Sequence, residues 1–200
     1  GVRAMVLNRA KSYEALYADF HWDIPDRFNM GVDVCDKNAA RHPNRTGLIV
    51  VEPGKDTVSY TFMDLKRLSN QLANLFIANG LERGERIGIL MSQSVEVAIS
   101  HVAAWKMAAI SIPLFTLFGE DALRFRLQNS EARMLVTDID NLPKIEAIRE
   151  ELPYLRTILV VGQGADDASK LDFWSNMAKA SDVFTPADTG REDPSFISYT

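Results

Sequence analysis

The feature that most constrains this chain is an alternation of two kinds of segment between Thr57 and Asp138. Short apolar runs rich in β-branched residues alternate with longer stretches whose apolar residues recur at helical spacing. Strands and helices in this order, joined by short loops, favour right-handed crossovers and a mostly parallel sheet with helices on both faces. We therefore predict a doubly wound α/β fold, with an N-terminal helical segment at residues 1–45 and an α/β subdomain at residues 46–200.

The boundaries of the predicted elements follow from capping residues and from the positions of proline and glycine. Thr61 and Asp64 have the spacing of a capping box at the start of a long helix, which Asn79-Gly80 closes. Pro113 is expected to stop the strand that begins at Ala109. The predicted helices cover 11–19, 31–41, the segments that begin at Phe62, Val95, Glu120 and Leu142, and 170–179. The predicted strands are a hairpin of 47–52 and 57–60 at the edge of the sheet, then 86–91, 109–114, 133–137, 157–161 and 195–199.

Composition argues against several classes of partner. The chain has 22 basic and 27 acidic residues, a formal charge of -5, and no window in which lysine and arginine concentrate. We therefore expect neither nucleic acid nor an anionic membrane as a partner. The most apolar stretch is interrupted by Glu96, His101 and Lys106, so no membrane-spanning segment is predicted. One cysteine and no leader-like start favour a reducing, cytoplasmic location.

Most isolated residues with reactive side chains favour structural roles. Cys35 lies on the apolar stripe of a predicted helix and is expected in the core. His101 is expected to be a hydrogen-bonded core histidine, since no histidine has a second ligand type at a metal-binding spacing. Asp138 and Asp140 follow a strand at the edge where doubly wound proteins bind ligands, so they either contact a ligand or cap the next helix. No metal site and no catalytic residue are predicted.

A dinucleotide-binding domain is one alternative, because Gly162-Gln163-Gly164 follows a predicted strand. The dinucleotide fingerprint needs a third glycine, and this chain has Asp167 at that place with Asp166 beside it. Two carboxylates there would repel a pyrophosphate, so a solvated turn is the better interpretation.

Three strings of the sequence occur in a diagnostic order. They are Ser59-Tyr60-Thr61-Phe62-Met63-Asp64-Leu65, Gly84-Glu85-Arg86-Ile87-Gly88-Ile89 and Lys106-Met107-Ala108-Ala109-Ile110-Ser111-Ile112-Pro113-Leu114. With them, residues 28–200 resemble the opening third of the adenylate-forming acyl-CoA synthetases. The run Phe115-Thr116-Leu117-Phe118-Gly119 is similar to the branch that handles acetate, medium-chain or aromatic acids. Ala108 stands where the family has glycine, which adds a methyl group at a tight helix end.

The resemblance implies a function for a longer parent enzyme: ligation of a small carboxylic acid to coenzyme A through an acyl-adenylate, with ATP and Mg²⁺. It implies that Phe115, Thr116 and Leu117 contact the adenine end of coenzyme A. It also implies that Tyr199 and Thr200 lead into a Ser/Thr/Gly-rich phosphate loop that binds ATP. Because residues 1–200 contain neither that loop nor the family's later acidic ligands and lysine, we expect them to be catalytically incompetent alone and to bind none of these cofactors.

A non-catalytic α/β module that acts by protein association is a further alternative. Part of a larger α/β body would expose an apolar face, which predicts self-association. This module and the dinucleotide-binding domain are the two hypotheses that compete with the acyl-CoA synthetase interpretation.

Overall fold

The computed structural model describes residues 9–164, 166–167 and 169–199. Residues 1–8, the start of the predicted N-terminal segment, and Thr200, a predicted lead-in to the ATP loop, lie outside the described residues. The strands are β1 Thr46–Val50, β2 Val58–Thr61, β3 Arg86–Leu90, β4 Ile110–Leu114, β5 Met134–Asp138, β6 Thr157–Val161 and β7 Lys170–Asp172. The helices are α1 Tyr13–Asp19, α2 Lys37–Arg41, α3 Phe62–Ala78, α4 Val95–Lys106, α5 Glu120–Asn129, α6 Leu142–Glu146 and α7 Phe173–Met177. A π-helical turn at Val32–Asp36 precedes α2, and a 3₁₀ turn at Arg149–Glu151 follows α6.

Five parallel strands form the central sheet in the order β4-β3-β5-β6-β7. The chain moves from β3 outward to β4, crosses back past β3 to β5, and then continues away from β3. β3 is therefore the strand at which the winding changes sides, and doubly wound folds form ligand crevices beside such a strand. The predicted doubly wound α/β fold is confirmed.

Each face of the sheet carries its own apolar core, because side chains alternate along every strand. On β5, Met134 and Val136 face one core and Leu135 faces the other. The first core is closed by α3, α4 and α7, and the second by α5 and α6. Strands that are apolar on both faces are typical of a parallel sheet covered by helices.

Helix α3 begins and ends as the sequence predicts. The Thr61 hydroxyl accepts the Asp64 backbone N–H at 3.1 Å, and the Asp64 carboxylate accepts the Thr61 backbone N–H at 2.9 Å. Gly80 follows the helix with a φ of +81°, a conformation that favours glycine. The predicted capping box is therefore confirmed. No helix in the described part of the chain is both long enough and apolar enough to cross a membrane.

Two predictions about the ends of the sheet are wrong. The β1–β2 hairpin forms a separate two-stranded sheet. The reason is local: β2 runs directly into α3, and Gly47 in β1 packs closely against Phe62 and Leu65 of that helix. The segment predicted as a helix at 170–179 begins as β7, because its first residues pair with the open edge of β6. The helix starts only at Phe173, where the Asp172 carboxylate caps it.

The predicted strand at 195–199 is reduced to one bridge beside β4. The Ser111 N–H donates to the Ser195 carbonyl and the Ile197 N–H donates to the Ser111 carbonyl, both at 3.1 Å. The next rung of a parallel ladder would require an N–H from Pro113, which proline lacks. Pro113 does not stop β4 as predicted, since that strand continues to Leu114 through its pairing with β3. It stops the pairing on the other side of β4.

A buried lysine joins the N-terminal helices to the α/β body. Lys106, at the end of α4, is fully buried, and its Nζ lies 2.6 Å from the Asp36 carboxylate. The same ammonium donates to Ser69 Oγ at 2.9 Å and to Asn70 Oδ1 at 2.8 Å, both on α3. Burial lowers the pKa of Lys106, and the Asp36 carboxylate opposes that shift. We call these four residues the Lys106 node.

The end of α4 has the tight geometry predicted from the resemblance. Ala108 has a φ of +63°, in the left-handed region that L-residues other than glycine rarely adopt. The Ala109 N–H donates to the Ala104 carbonyl at 2.8 Å, which closes the helix and turns the chain into β4. An alanine therefore occupies a position at which glycine would be unstrained.

Candidate ligand-binding cleft

A cleft of about 990 Å³ opens beyond the carboxyl ends of β3 and β4. Its walls are one face of α4, the β1 strand of the hairpin, and the loop that follows β4. Ser198 and Tyr199, at the end of the described chain, also line it. A cleft of this size suits a small-molecule ligand, because ligand pockets usually measure about 300–1,000 Å³.

Helix α4 supplies a largely apolar wall. Its lining residues recur at the spacing of one helical face and are Val97, Ala98, His101, Val102 and Trp105. Ser94 fixes the start of the helix by accepting the Val97 backbone N–H. The helix follows β3 after a short loop, so its first turns lie beside the carboxyl end of the sheet.

A small polar cluster lies between the cleft and the sheet. His101 Nδ1 lies 2.9 Å from Ser111 Oγ, and the Trp105 indole N–H donates to the same oxygen at 3.0 Å. The Trp105 N–H also reaches the Ser195 carbonyl at 3.0 Å. Burial lowers the pKa of His101 to about 4, so this ring is neutral at pH 7. The predicted hydrogen bonding of His101 is confirmed, but its half-buried ring borders the cleft instead of lying in the core.

The residues predicted as coenzyme A contacts lie at the mouth of the cleft. Phe115 and Thr116 line it, whereas Leu117 is 94% exposed and does not. Phe115 is 72% exposed, and its ring meets Phe118 edge-on at 5.5 Å. Of the predicted ATP pair, Tyr199 lines the cleft and its hydroxyl lies 2.8 Å from Asn129 Oδ1. Of the four predicted residues that the structure describes, Phe115, Thr116 and Tyr199 therefore line the cleft, and Leu117 lies next to Thr116 outside its lining.

Sequence reasoning missed Arg126, which also lines the cleft. The guanidinium carbon lies 4.1 Å from the centre of the Phe118 ring and 5.5 Å from that of Tyr199. Helical spacing places Arg126 next to the buried face of α5, since Leu123 and Leu127 are buried. That spacing does not reveal that a cleft lies beside this face, because Phe118 and Tyr199 are brought there by the fold.

Other candidate residues have structural roles. The Asp138 carboxylate accepts the Asn141 backbone N–H at 2.8 Å in the turn before α6, which itself has no side-chain cap, and neither Asp138 nor Asp140 lines the cleft. Cys35 is buried as predicted, and burial raises the pKa of its thiol to about 11. The described residues contain no group of three or more His, Cys, Asp or Glu positioned to hold a metal ion.

The glycine pair after β6 forms a turn. Gly162 and Gly164 both have positive φ, at +87° and +79°. The Gly164 N–H donates to the Asp172 carboxylate at 2.8 Å, so this N–H already has an acidic acceptor and is not free to bind a pyrophosphate. This geometry agrees with the solvated turn and does not favour a dinucleotide-binding domain.

The fold and the cleft together define a doubly wound α/β domain with a candidate ligand cleft beside the strand at which the winding changes sides. A model of the AMP-binding enzyme family matches residues 35–200, and the chain belongs to this family. The resemblance to AMP-forming acyl-CoA synthetases predicted from the sequence strings is therefore confirmed.

Curated relatives agree with this assignment. The chain is 30% identical over 179 residues to the acetyl-coenzyme A synthetase of Bacillus subtilis, a match that covers 84% of this chain and 31% of the relative. It is 26% identical over 199 residues to the mouse mitochondrial acyl-coenzyme A synthetase ACSM3, covering 94% of this chain and 33% of the relative. The chain thus spans about a third of the length of these relatives.

Solved structures have the same architecture. The anthranilate CoA ligase AuaEII, in complex with anthranoyl-AMP, superposes with a TM-score of 0.79 at 28% identity, over 89% of this chain and 32% of the ligase. The acyl-CoA synthetase of Brucella canis superposes with a TM-score of 0.84 at 24% identity, over 94% of this chain and 36% of that chain, which supports the fold alone.

Proposed function

We propose that these residues belong to an enzyme that joins a carboxylic acid to coenzyme A through an acyl-adenylate, with ATP and Mg²⁺. The observation that carries this proposal is the cleft at the carboxyl ends of β3 and β4 in a chain of the AMP-binding enzyme family. The chemistry has a clear need: a carboxylate is a poor electrophile, and its adenylate has a good leaving group that a thiol displaces. The B. subtilis and mouse relatives carry names of this class.

Exposed aromatic surface at the mouth of the cleft supports coenzyme A as a ligand there. The exposed Phe115 ring offers a face for stacking on an adenine, and Phe118 fixes its position from the side. Thr116 lines the same opening, and Leu117 stands exposed beside it. We therefore propose Phe115, Thr116 and Leu117 as contacts of the adenine end of coenzyme A.

The described residues lack most of the groups that binding of ATP and Mg²⁺ requires. A triphosphate with its metal requires clustered N–H donors, cations and acidic ligands. Arg126 is the one lysine or arginine among the described residues that line the cleft, and those residues hold no metal-binding group. We propose that Tyr199 and Thr200 lead into the segment that grips ATP. Residues 1–200 by themselves would then be catalytically incompetent, with no bound cofactor and no catalytic residue among them.

Pyrophosphate exchange tests this proposal. The product of the complete coding sequence that contains these residues is assayed for exchange of pyrophosphate into ATP with a panel of acetate, medium-chain and aromatic acids. Exchange that depends on the acid, and AMP release that depends on coenzyme A, are expected. The 200-residue chain is assayed beside it and is expected to stay at background. Acid-independent exchange by the complete product, or clear turnover by the 200 residues, would contradict the proposal.

We also propose that the isolated chain self-associates through exposed apolar side chains. Ile49 and Val51 of the hairpin are 58% and 72% exposed, and Leu117 at the cleft mouth is 94% exposed. Multi-angle light scattering is expected to report a mass above that of the 22.4 kDa chain, with binding of a hydrophobic dye. A monomer that leaves the dye dark would contradict this.

We also propose that the protein is located in the cytoplasm. It rests on the single, buried cysteine, since a protein of a reducing compartment has no need of disulfides. The mouse relative is named as mitochondrial, so the two compartments are the alternatives. Fractionation of the source cells with an antibody to this chain separates them, and recovery in an organelle would contradict the cytoplasmic location.

A further inference from the structure

Two arginines that lie two residues apart on α5 differ in their partners. Arg124 forms ion pairs with Asp121 and, at 2.8 Å, with Glu151. Arg126 forms no ion pair with any described residue. One of its Nη atoms donates to the Ala122 carbonyl at 3.0 Å, and its Nε is buried without a hydrogen-bond partner. A guanidinium has five N–H donors, so the protein leaves most of the hydrogen-bonding capacity of Arg126 unused.

The aromatic neighbours of Arg126 orient its guanidinium without neutralising it. Phe118 covers one face at 4.1 Å, and Tyr199 lies at 5.5 Å. Tyr199 is held in turn by its hydrogen bond to Asn129, on the same helix as Arg126. Stacking of this kind restricts the side chain and keeps its planar fork ready to receive an oxyanion.

The rest of the cleft supplies no opposite charge. No aspartate or glutamate is present among the described residues that line it, and His101 is neutral at pH 7 because burial depresses its pKa. The walls formed by α4 and β1 are mainly apolar. A single positive charge at one side of an apolar cleft matches a monoanion with an apolar body. The triphosphate of ATP matches this charge poorly, because several phosphate charges would face one cation.

We propose that this cleft binds an apolar monocarboxylic acid, with the carboxylate paired to the Arg126 guanidinium and the apolar tail along the α4 wall. The assignment of Arg126 as a binding residue deepens the proposed function and rests on it for the class of the ligand. The pair would form partly away from solvent, where a bidentate guanidinium–carboxylate contact is stronger than at the surface. The cleft volume accommodates a medium-chain or single-ring acid.

Calorimetric titration of the product of the complete coding sequence that contains these residues, with octanoate and with its neutral isostere octanamide, tests this assignment. Octanoate is expected to bind with a stoichiometry of one and at least about tenfold more tightly than octanamide, the effect of one charge-assisted contact. Arg126→Gln should remove the preference for octanoate. Arg124→Gln is the matched control, because it removes an arginine from the same helix that is already paired, and it should leave the preference unchanged.

Each other outcome overturns the assignment. Equal binding of octanoate and octanamide by the unmodified chain, no saturable binding of octanoate, or an unchanged preference in Arg126→Gln would do so. AMP that displaces octanoate from the unmodified protein, and whose own binding is lost in Arg126→Gln, would assign the site to a phosphate instead. If Arg126→Gln does not fold, the comparison of octanoate with octanamide on the unmodified chain decides. None of these titrations uses ATP or coenzyme A, so a failure here is separate from a failure of the ligase assay.

Discussion

Two buried or half-buried cations of this molecule have opposite surroundings. Lys106, between the helices, is fully buried and reaches a carboxylate, a hydroxyl and an amide oxygen within 3 Å. Arg126, at the cleft, donates to one backbone carbonyl and otherwise lies against aromatic rings. The two cations differ in how many of their hydrogen-bond donors have an acceptor within the protein. This number, more than burial, separates a charged side chain with a structural role from one that is available to a ligand. Four predictions test how far this contrast holds.

The largest effect is expected at the Lys106 node. Lys106→Met fills the same space without a charge and leaves the Asp36 carboxylate inside the protein with no ion-pair partner. Removing one partner of a buried ion pair costs about 3–5 kcal/mol, so the free energy of unfolding should fall by that amount. Urea titration followed by circular dichroism measures it.

Lys37→Met is the control for the node, because Lys37 pairs with Asp33 on an exposed surface. Its cost should stay below about 1 kcal/mol. A loss at Lys106 no larger than that at Lys37 would erase the contrast between the node and the surface.

The second prediction concerns His101 in the cleft wall and the way in which the free energy of unfolding depends on pH. The pKa of His101 is about 4 in the folded protein, below its ordinary value of 6.5. The unfolded chain therefore takes up a proton as the pH falls below 6.5 while the folded protein does not. The neutral ring therefore makes its full contribution to the free energy of unfolding above pH 6.5, and this contribution is lost progressively as the pH falls toward 4. Between pH 7 and pH 5 the expected loss is about 1–2 kcal/mol.

Carboxylates also titrate in this range, so the measurement is a comparison of slopes. The free energy of unfolding is measured at pH 7 and pH 5 for the unmodified chain and for His101→Gln, which keeps a polar group beside Ser111. The unmodified chain should lose more stability on acidification. Parallel losses in the two proteins would show that His101 does not change its protonation equilibrium on folding.

The third effect is a gain in stability at the end of α4, next to the node. Ala108 has a φ of +63°, which costs an L-residue about 1–2 kcal/mol, whereas glycine adopts it freely. The greater freedom of glycine in the unfolded chain offsets part of that gain, so Ala108→Gly should stabilise by about 0.5–1 kcal/mol. Thermal unfolding should show a higher midpoint. Ala104→Gly, inside the same helix, should show a lower one; a decrease for both would refute the strain argument.

The smallest effect is expected at Arg126. Its contact with Phe118 contributes about 0.5 kcal/mol at a partly exposed site, and Arg126→Gln also removes a buried N–H without a partner. The free energy of unfolding of Arg126→Gln should therefore stay within about 0.5 kcal/mol of the original value. Urea titration beside Lys106→Met gives the direct comparison. A loss of unfolding free energy as large as that of Lys106→Met would show that Arg126 has a structural role.

The sequence predicted most of the elements because their causes are local. The capping box of Thr61 and Asp64 and the positive φ of Gly80 act within a few residues, and both were identified from residue type and spacing. The same holds for β6, whose bounds Thr157–Val161 match the prediction. Segments whose state depends on a distant neighbour were predicted less well. β7 is a strand only because β6 offers it an open edge.

The site residues also differ in whether the sequence could predict them. The resemblance predicts Phe115 and Thr116, which lie at the cleft mouth, and Tyr199, which lines the same cleft. Their roles as coenzyme A and ATP contacts stay predictions. Arg126 could not be chosen from the sequence, since nothing in the pattern around it distinguishes it from Arg124. The division of the chain at residue 45 also stays a prediction.

By itself the sequence determined the order of most strands and helices and both ends of α3, because periodicity and capping depend on residues close together in the chain. The family and the tight turn at Ala108 followed from the resemblance of its sequence strings. Only the tertiary structure decided which charges are satisfied. Asp36 meets Lys106 across 70 positions of the sequence, and no acidic side chain meets Arg126 in the described part of the chain. Electrostatic partnership depends on distance in space, and the fold alone sets that distance.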